Sequence, residues 1–465
     1  MANPRLPIKL DRFWQIALLV IILRALSGPT GFLAYILIAI YGLRSPRHTV
    51  EAILLLYFLN LANTAIFGGI ADGGIGRYIV ILSLAGATIG RLFLLQQLRI
   101  NQVALATLML GSYIMLHGIL FSVLPTISVL KGLLWSLAML TVLLSFSALS
   151  EREFLLAEVH IYSFFGFLMA FSLLAYILVP AGTMLPYTYL RGVLAHSQAT
   201  GVMAAMLSVW AFSRILTSTK KNVWDVMLFA GSFLTVFLSG TRTGLVSVAL
   251  CVVALILLAA SQRRHPVRQL LRKARNPLVG LGLAAIALMA IMNGGTLLTV
   301  ISDFMSKNNE IDTFTSAYAE SRGGLIEIML ANIRADPFVG LGFGIASEPG
   351  SMIVQTVVGV PISAVVEKGV THIAVLEELG LIGGVFFLYW IVVIFYKAIG
   401  GQLAQFGLVS SIVLLNFGEA ALFSAGGSGL LQILLLGYAS HRLSRTRNTG
   451  AYQPVLNSAE EALRT

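Results

Sequence analysis

Long apolar stretches separated by short polar connections recur along almost the whole chain. Most of them have the length, roughly 17 to 25 residues, that an α-helix needs to cross the hydrocarbon core of a membrane. The pattern predicts spans near residues 13–27, 29–43, 50–70, 78–97, 103–121, 127–149, 158–180, 197–217, 223–240, 243–262, 277–301, 373–397, 404–422 and 425–441. We therefore expect an all-α fold, a polytopic transmembrane helix bundle of about 12–14 spans.

One connection is much longer than the others. It runs over residues 302–371 and contains a segment, SAYAESRGGLIEIMLANIRADP, whose apolar residues recur at helical spacing and which Pro337 closes. The apolar positions are Ile326, Met329, Leu330 and Ile333. The second half, residues 350–366, is rich in Val and Ile. We expect it to lie against the membrane surface or to pack over the spans, so that the loop is long and only partly helical.

Composition excludes a soluble globular protein. Hydrophobic residues make up 57% of the chain and charged residues 11%, against about 25% charged in a typical soluble domain. The net charge of +11 does not indicate a nucleic-acid partner, because the basic residues lie in short clusters between apolar runs. Membrane lipids, with their phosphate headgroups, are the expected partner of such clusters. The one cysteine, Cys251, lies within an apolar run, so no disulfide framework exists.

The distribution of basic residues predicts the orientation of the bundle. Of the 31 Lys and Arg residues, 22 lie in alternate connections and at the two ends of the chain. This bias predicts that both termini are cytoplasmic. The 302–371 connection, with eight acidic and four basic residues, is then external. The basic N-terminus lacks a small-residue cleavage site, and we interpret the first apolar run as an uncleaved span.

Arg242 is the first candidate for chemistry. It lies in SGTRTGL, at the external junction of two spans and among glycines and small hydroxyl residues. A guanidinium presents a planar set of donors that suits phosphate oxygens, and a helix start adds backbone N–H groups. The alternative interpretation is an arginine that extends to the lipid headgroups.

Two further elements lie in and after the long connection. Arg322 precedes the apolar helix and the run Gly340, Gly342 and Gly344, which follows no strand and does not match a dinucleotide site. The alternative role of Arg322 is an ion pair with Glu320 or contact with lipid.

His372 begins the next span, where a neutral imidazole could accept a proton from a hydroxyl, or could simply form hydrogen bonds at the membrane boundary. Glu377 and Glu378 fall inside the apolar run, where a charge is costly and is paired or functional.

Arg191 and His196, in YTYLRGVLAHSQATG, are further candidates for substrate contact, as is Glu378. Arg24, Lys131 and His117 lie near external span ends, and we interpret them as structural. No Cys and His spacing typical of a metal site is present, so we expect no metal and no cofactor.

These elements together resemble the O-antigen ligase and polysaccharide polymerase family of bacterial inner-membrane proteins. LAHSQATG resembles the family's His-Pro-Asn-like element, SGTRTGL its Ser-Arg-Thr/Gly element, SRGGLIEIMLANIRADPFVGLGFG its Arg, Pro and Gly-x-Gly-Phe-Gly element, and LEELGLIGGVFF its Glu-x-Gly-x-x-Gly element. The four occur in the family's order. The resemblance covers roughly residues 190–396, and the rest of the chain is similar in topology only.

The resemblance implies a metal-independent, inverting glycosyltransferase with a periplasmic site. The donor would be a glycan on undecaprenyl diphosphate, and the acceptor another lipid-linked glycan or lipid A–core. Arg242 and Arg322 would bind the diphosphate, and His372 would deprotonate the acceptor hydroxyl. His372 lies closer to Gly380 than the histidine of the family's pattern does, so Glu367 is the alternative base. This departure favours a polymerase over a ligase.

The resemblance also divides the chain into four parts. Residues 1–189 would form N-terminal transmembrane helices, 190–400 the core with the periplasmic loop 302–371, 401–441 the C-terminal transmembrane helices, and 442–465 a cytoplasmic tail. Two other classes remain open: a lipid-linked oligosaccharide flippase or transporter, and a non-catalytic partner in polysaccharide assembly. A transporter is expected to show two related halves, which the sequence lacks. Other assembly proteins are candidate partners of an enzyme of this type.

Overall fold

The computed structural model of the protein describes residues 11–68, 74–94, 100–178, 189–218, 222–261, 323–357, 360–364, 366 and 368–441. These residues contain fifteen α-helices, one 3₁₀ turn and one two-stranded hairpin. The span expected at 277–301 and the first part of the long connection lie outside the described residues, as do Arg322 and Glu367.

The helices follow one another with short connections. The first eight are α1 (Arg12–Leu26), α2 (Gly28–Gly42), α3 (Pro46–Leu61), α4 (Thr64–Phe67), α5 (Ile75–Phe93), α6 (Gln102–Leu120), α7 (Pro125–Ala148) and α8 (Glu151–Leu178). The others are α9 (Ser197–Thr217), α10 (Val223–Leu238), α11 (Arg242–Ser261), α12 (Gly324–Ala335), α13 (Thr371–Ile399), α14 (Leu403–Leu415) and α15 (Gly427–Ser440). Each predicted span other than 277–301 coincides with one of these helices.

Seven of the described helices are long and apolar enough to cross a membrane: α5, α6, α7, α8, α9, α11 and α13. Helices α2, α10, α14 and α15 are shorter and also apolar. The shared core is almost entirely aliphatic and aromatic, with Trp135, Trp210 and Trp390 fully buried. The prediction of an apolar helix bundle is therefore confirmed at the level of helix type, length and composition.

Two helices fall furthest short of the predicted spans, α3 and α14, and an asparagine lies just after each. Helix α3 ends at Leu61. The next turn is fixed by Asn63, whose Nδ2 donates to the carbonyl of Gly192 at 2.7 Å and whose Oδ1 accepts from the N–H of Ala65. Helix α14 ends at Leu415, and Asn416 begins an irregular turn. Fully buried amides of this kind satisfy backbone groups that helix ends leave open.

Helix α13 is interrupted at Gly380, which has φ 63° and ψ −172°. This left-handed backbone conformation favours glycine, because other residues meet a steric penalty there. The break leaves carbonyl groups of the preceding turn without helical partners, so other parts of the chain must bind them. The predicted single span 373–397 is therefore two half-helices joined at Gly380.

The second half of the long connection contains β-structure, which the all-α fold prediction does not include. It forms an antiparallel hairpin of β1 (Val354–Val357) and β2 (Val360–Ala364). Val354 packs with Ile127 of α7 and Ile345. The expectation that this Val- and Ile-rich segment packs over the spans is confirmed for Val354, and its strand conformation agrees with its high content of β-branched residues.

The amphipathic helix predicted before Pro337 is present as α12, over the described part. Met329 is fully buried, whereas Leu330 is 38% exposed. The buried face of α12 is therefore narrower than the spacing of its apolar residues predicts, and Leu330 lies on an exposed face.

An ionic cluster joins α8, α9 and α10 at the end of the bundle away from Arg242. Arg214 of α9 contacts Glu158 of α8 at 3.3 Å and Asp225 of α10 at 3.1 Å. Tyr162 donates its hydroxyl proton to Asp225 at 2.8 Å and lies under the Arg214 guanidinium. The buried carboxylates of Glu158 and Asp225 thus share a partly buried cation, and such pairing is the condition for buried charges to be tolerated.

Candidate functional site

Arg242 is held at the start of α11 by a close-packed turn. The turn contains Gly240 with φ 66°, which only glycine adopts at low cost, and Tyr189 lies against it. Gly201 of α9 lies so close to the turn that a Cβ there would be 1.9 Å from Oγ1 of Thr241. The two glycines therefore allow α9 and the turn to approach closely, and this fixes the direction in which α11 begins.

The Arg242 side chain is half-buried, and part of its hydrogen-bonding capacity is unused among the residues that the structure describes. Among the residues that the structure describes, the buried Nε of Arg242 has no hydrogen-bond partner. The first backbone N–H bonded within the helix is that of Leu245, to the carbonyl of Thr241 at 3.0 Å. The preceding N–H groups have no partner within the helix, as at any helix N-terminus, and groups of this kind can bind an anion. A guanidinium beside a helix N-terminus suits a phosphate or diphosphate.

His372 lies in the first turn of α13. Its ring stacks on Phe417 with 4.2 Å between ring centroids, and its buried Nδ1 has no hydrogen-bond partner within the described part of the chain. The start of α13 is fixed by Asn416, whose carbonyl oxygen accepts from the N–H of Thr371 at 3.0 Å and whose Oδ1 accepts from the Thr371 hydroxyl at 2.7 Å. The imidazole is therefore oriented by packing.

The turn after α14 joins the starts of α11 and α13. Phe417 stacks on His372, and the next residue, Gly418, lies against α11, where a Cβ would be 1.9 Å from Cγ2 of Thr243. Thr243 follows Arg242 directly. Residues 416–418 thus contact both helix starts, the one that carries Arg242 and the one that carries His372, at the same end of the bundle.

A buried ionic cluster lies beside the start of α13. Lys368 Nζ contacts Glu377 Oε2 at 2.6 Å and Glu378 Oε1 at 3.1 Å. All three residues are buried; Glu377 is 1% exposed and Lys368 is 2% exposed. Glu377 and Glu378 were expected to be paired or functional, and the structure shows that both form ion pairs with Lys368. Both oxygens of Glu378 are engaged, because Oε2 also accepts from the N–H of Gly344 at 2.6 Å.

The glycine run forms a loop that fits into the break of α13. The N–H groups of Leu341 and Gly342 donate to the carbonyls of Glu377 and Glu378 at 2.9 and 2.8 Å. A Cβ at Gly340, which has φ 80°, would lie 2.5 Å from the Glu377 carbonyl oxygen. The run thus satisfies carbonyls that the break leaves open, which is a structural role.

Two residues predicted to be structural hold this loop. His117 Nε2 donates to the Val339 carbonyl at 2.7 Å, and Lys131 Nζ donates to the Gly344 carbonyl at 2.7 Å. The prediction of a structural role is confirmed for both. Arg24, the third such residue, is buried and donates to the Phe67 carbonyl at 3.0 Å.

Arg191 and His196 lie in the segment that leads into α9. Leu190 donates its N–H to the Leu238 carbonyl at 2.9 Å, which attaches this segment to the end of α10, close to the Arg242 turn. The Arg191 carbonyl accepts from the hydroxyl of Thr200. His196 is exposed and precedes α9 as its N-cap residue. Both predicted residues therefore lie at the same end as Arg242.

Sequence reasoning missed Lys368 and Asn416 as members of this site. Lys368 was counted only among the bases of the long connection, although two glutamates in the following apolar run needed a cation. Asn416 interrupts the apolar run of α14, and a polar amide in such a run is a signal for a buried hydrogen-bonding role. Arg322 and Glu367 lie outside the described residues, so their positions relative to this site remain predictions.

Within the described part of the chain, no group of three or more His, Cys, Asp or Glu side chains is placed to hold a metal ion. The described residues offer a cation for an anionic group, Arg242, and an imidazole, His372, at two helix starts that contact the same turn. No protein-family model matches the sequence, and comparison with curated protein sequences finds no match.

Proposed function

We propose that this protein is an inverting glycosyltransferase that polymerises or transfers an undecaprenyl diphosphate-linked glycan at the periplasmic face of a bacterial inner membrane. The observation that supports this proposal is the junction at residues 416–418, which joins the helix starts bearing Arg242 and His372. A glycan polymerase is the first candidate. A ligase that transfers the glycan to lipid A–core uses the same donor chemistry and is the alternative within this class.

In the proposed reaction, Arg242 and the helix start bind the donor, and a separate residue acts as the base. Arg242 and the N–H groups at the start of α11 bind the diphosphate, and their fixed positive charge stabilises the negative charge that develops as the sugar–phosphate bond breaks. The acceptor hydroxyl attacks the anomeric carbon from the opposite face, forming the new glycosidic bond with inversion. Its proton passes to a base, His372 or, as the alternative, Glu367. Arg322 is proposed as a second diphosphate ligand on the strength of the resemblance.

The interruption of α13 at Gly380 favours a transporter as a second candidate, because discontinuous helices are common at transporter binding sites. Yet the break is occupied by the glycine loop, whose N–H groups bind the carbonyls of Glu377 and Glu378. Backbone groups engaged in this way do not line a path for a substrate. This supports transfer over transport.

The orientation proposed for the site follows from the Lys and Arg bias and can be tested by labelling. Cys251 is fully buried, so the wild-type chain should not react with a membrane-impermeant maleimide. Ser351→Cys, in the exposed turn before the hairpin, should label from outside intact spheroplasts. Asn222→Cys, exposed at the opposite end of the bundle, should label only after the membrane is opened. Labelling of position 222 from outside would overturn the orientation and the periplasmic site with it.

Transfer itself is tested with purified protein in lipid vesicles. We expect undecaprenyl diphosphate-linked oligosaccharide to be converted to longer lipid-linked chains in the presence of EDTA, with undecaprenyl diphosphate released. Addition of lipid A–core in a parallel reaction separates ligase from polymerase. Movement of the oligosaccharide lipid across the bilayer without any new glycosidic bond would favour the transporter, and strict dependence on a divalent cation would exclude the proposed mechanism.

A further inference from the structure

Three side chains from three separate segments donate to the carboxylate of Glu377. Lys368 Nζ lies 2.6 Å from Oε2, Ser347 Oγ lies 3.1 Å from Oε2, and Asn332 Nδ2 lies 2.7 Å from Oε1. Asn332 also donates to the Ser347 carbonyl at 2.9 Å. The carboxylate is 1% exposed. It is thus the common acceptor of the end of α12, the segment after the glycine loop, and the residues before α13.

We infer that Glu377 is a positioning residue, which holds α12 and the start of α13 as one rigid unit. Lys368 lies four residues before His372, and α12 begins two residues after Arg322. Through these two connections, the Glu377 carboxylate fixes the segment that carries His372 relative to α12, the helix that follows Arg322. The catalytic part of this inference rests on the proposed function, whereas the structural part does not.

The chemistry of the three contacts requires a carboxylate. Lys368, Ser347 and Asn332 all act as donors, and an ionised carboxylate offers about four acceptor sites and no donor. A glutamine at this position has one acceptor oxygen and an NH₂ group that would face donors. The charge matters too, because loss of the Glu377 charge leaves Lys368 as a buried cation that, among the residues the structure describes, only Glu378 balances.

The competing explanation is a buried ion pair that stabilises the fold and nothing more. Asp225 provides a matched control for it. Like Glu377, Asp225 is a buried carboxylate that accepts from a cation, Arg214, and from a neutral donor, Tyr162, but it lies at the opposite end of the bundle. Asp225→Asn should lower stability without altering the arrangement of α12 and α13.

Spin-label distances test the structural part without reference to activity. In a Cys251→Ser background, nitroxides at Ala331 of α12 and Ile373 of α13 should give a narrow distance distribution by pulsed electron paramagnetic resonance. Glu377→Gln should broaden this distribution, whereas Asp225→Asn should leave it narrow. An unchanged distribution in Glu377→Gln would overturn the inference.

Kinetics test the catalytic part. We expect Glu377→Gln to lower kcat for glycan transfer about 10²-fold, the effect of displacing catalytic groups by about 1 Å, with little change in the binding of undecaprenyl diphosphate. Asp225→Asn should keep the wild-type kcat in the fraction that folds.

Asn332→Ala removes one of the three contacts of the Glu377 carboxylate, together with the bond to the Ser347 carbonyl, and keeps the Lys368 pair. It therefore decides the question if Glu377→Gln does not fold. This variant should broaden the distances and lower kcat to a smaller degree. A wild-type kcat in both variants would overturn the positioning role. A wild-type protein that transfers no glycan would overturn the proposed function, while the spin-label distances would still decide whether Glu377 joins the two segments.

Discussion

Arg242→Lys is expected to impair glycan transfer almost as severely as Arg242→Ala, with a loss in kcat of about 10² to 10³-fold, the cost of removing one preorganised charge-stabilising donor. Lysine keeps the positive charge, but as a point charge on a flexible stem, and it does not reproduce the planar two-donor contact with a phosphate. The measurement is the rate of product formation from undecaprenyl diphosphate-linked oligosaccharide in vesicles.

Arg214→Lys is the matched control for this substitution. Arg214 is also a partly buried guanidinium in a helix, but it contacts Glu158 and Asp225 at the opposite end of the bundle. This variant should lose stability and retain transfer. Near-normal transfer by correctly inserted Arg242→Lys would contradict the proposed diphosphate contact and would favour an arginine that extends to lipid headgroups.

The helices could be predicted from the sequence because a span needs only length and continuous apolar character, both of which are local properties. Their interruptions were less accessible. Asn416 and Gly380 each stand within an apolar run, and nothing nearby in the chain shows that Asn416 ends α14 or that Gly380 breaks α13. The partners that make the break possible, Leu341 and Gly342, are distant in sequence. The hairpin was missed because residues 350–366 were interpreted from polarity rather than from strand spacing.

The residues of the candidate site could be predicted from the sequence better than the contacts between them. Glu377 and Glu378 stand out in the sequence because a charge in apolar surroundings is costly, and the structure gives them Lys368 as partner. That partner is not evident from the sequence, since the pairing depends on how the chain turns before α13. The glycine run stands out in the sequence as part of the family resemblance and does not match a nucleotide site. Its contact with α13 depends on a helix break that is not evident from the sequence.

The junction at residues 416–418 also limits how the two proposed catalytic groups move. Asn416 uses its Nδ2 to donate to the Ile412 carbonyl and to Gln432 Oε1, each at 2.8 Å, so that α14 and α15 share the turn that fixes Thr371. A base attached to such a turn is preorganised relative to α11. For this reason the identity of the base can be tested by substitutions that preserve packing.

His372→Phe should therefore separate chemistry from packing. The phenyl ring keeps the stack on Phe417 but has no nitrogen to accept a proton. If His372 is the base, this variant should lose about 10² to 10⁴-fold in kcat, the usual contribution of general-base catalysis. Its affinity for undecaprenyl diphosphate should stay near the wild-type value, because arginine and the helix start hold the diphosphate. Binding is measured by calorimetry in detergent and transfer in vesicles.

Glu367→Gln in the same two assays decides between the candidate bases. Amidation removes the ability of a carboxylate to take up a proton and changes its size very little, so a catalytic Glu367 would lose transfer and keep donor binding. With His372 as the base, Glu367→Gln should transfer glycan at close to the wild-type rate. Full activity in His372→Phe together with loss of activity in Glu367→Gln would assign the base to the carboxylate. Loss of diphosphate binding in His372→Phe would instead make the imidazole part of the donor site, since a base that acts only on the acceptor hydroxyl does not contribute to that affinity.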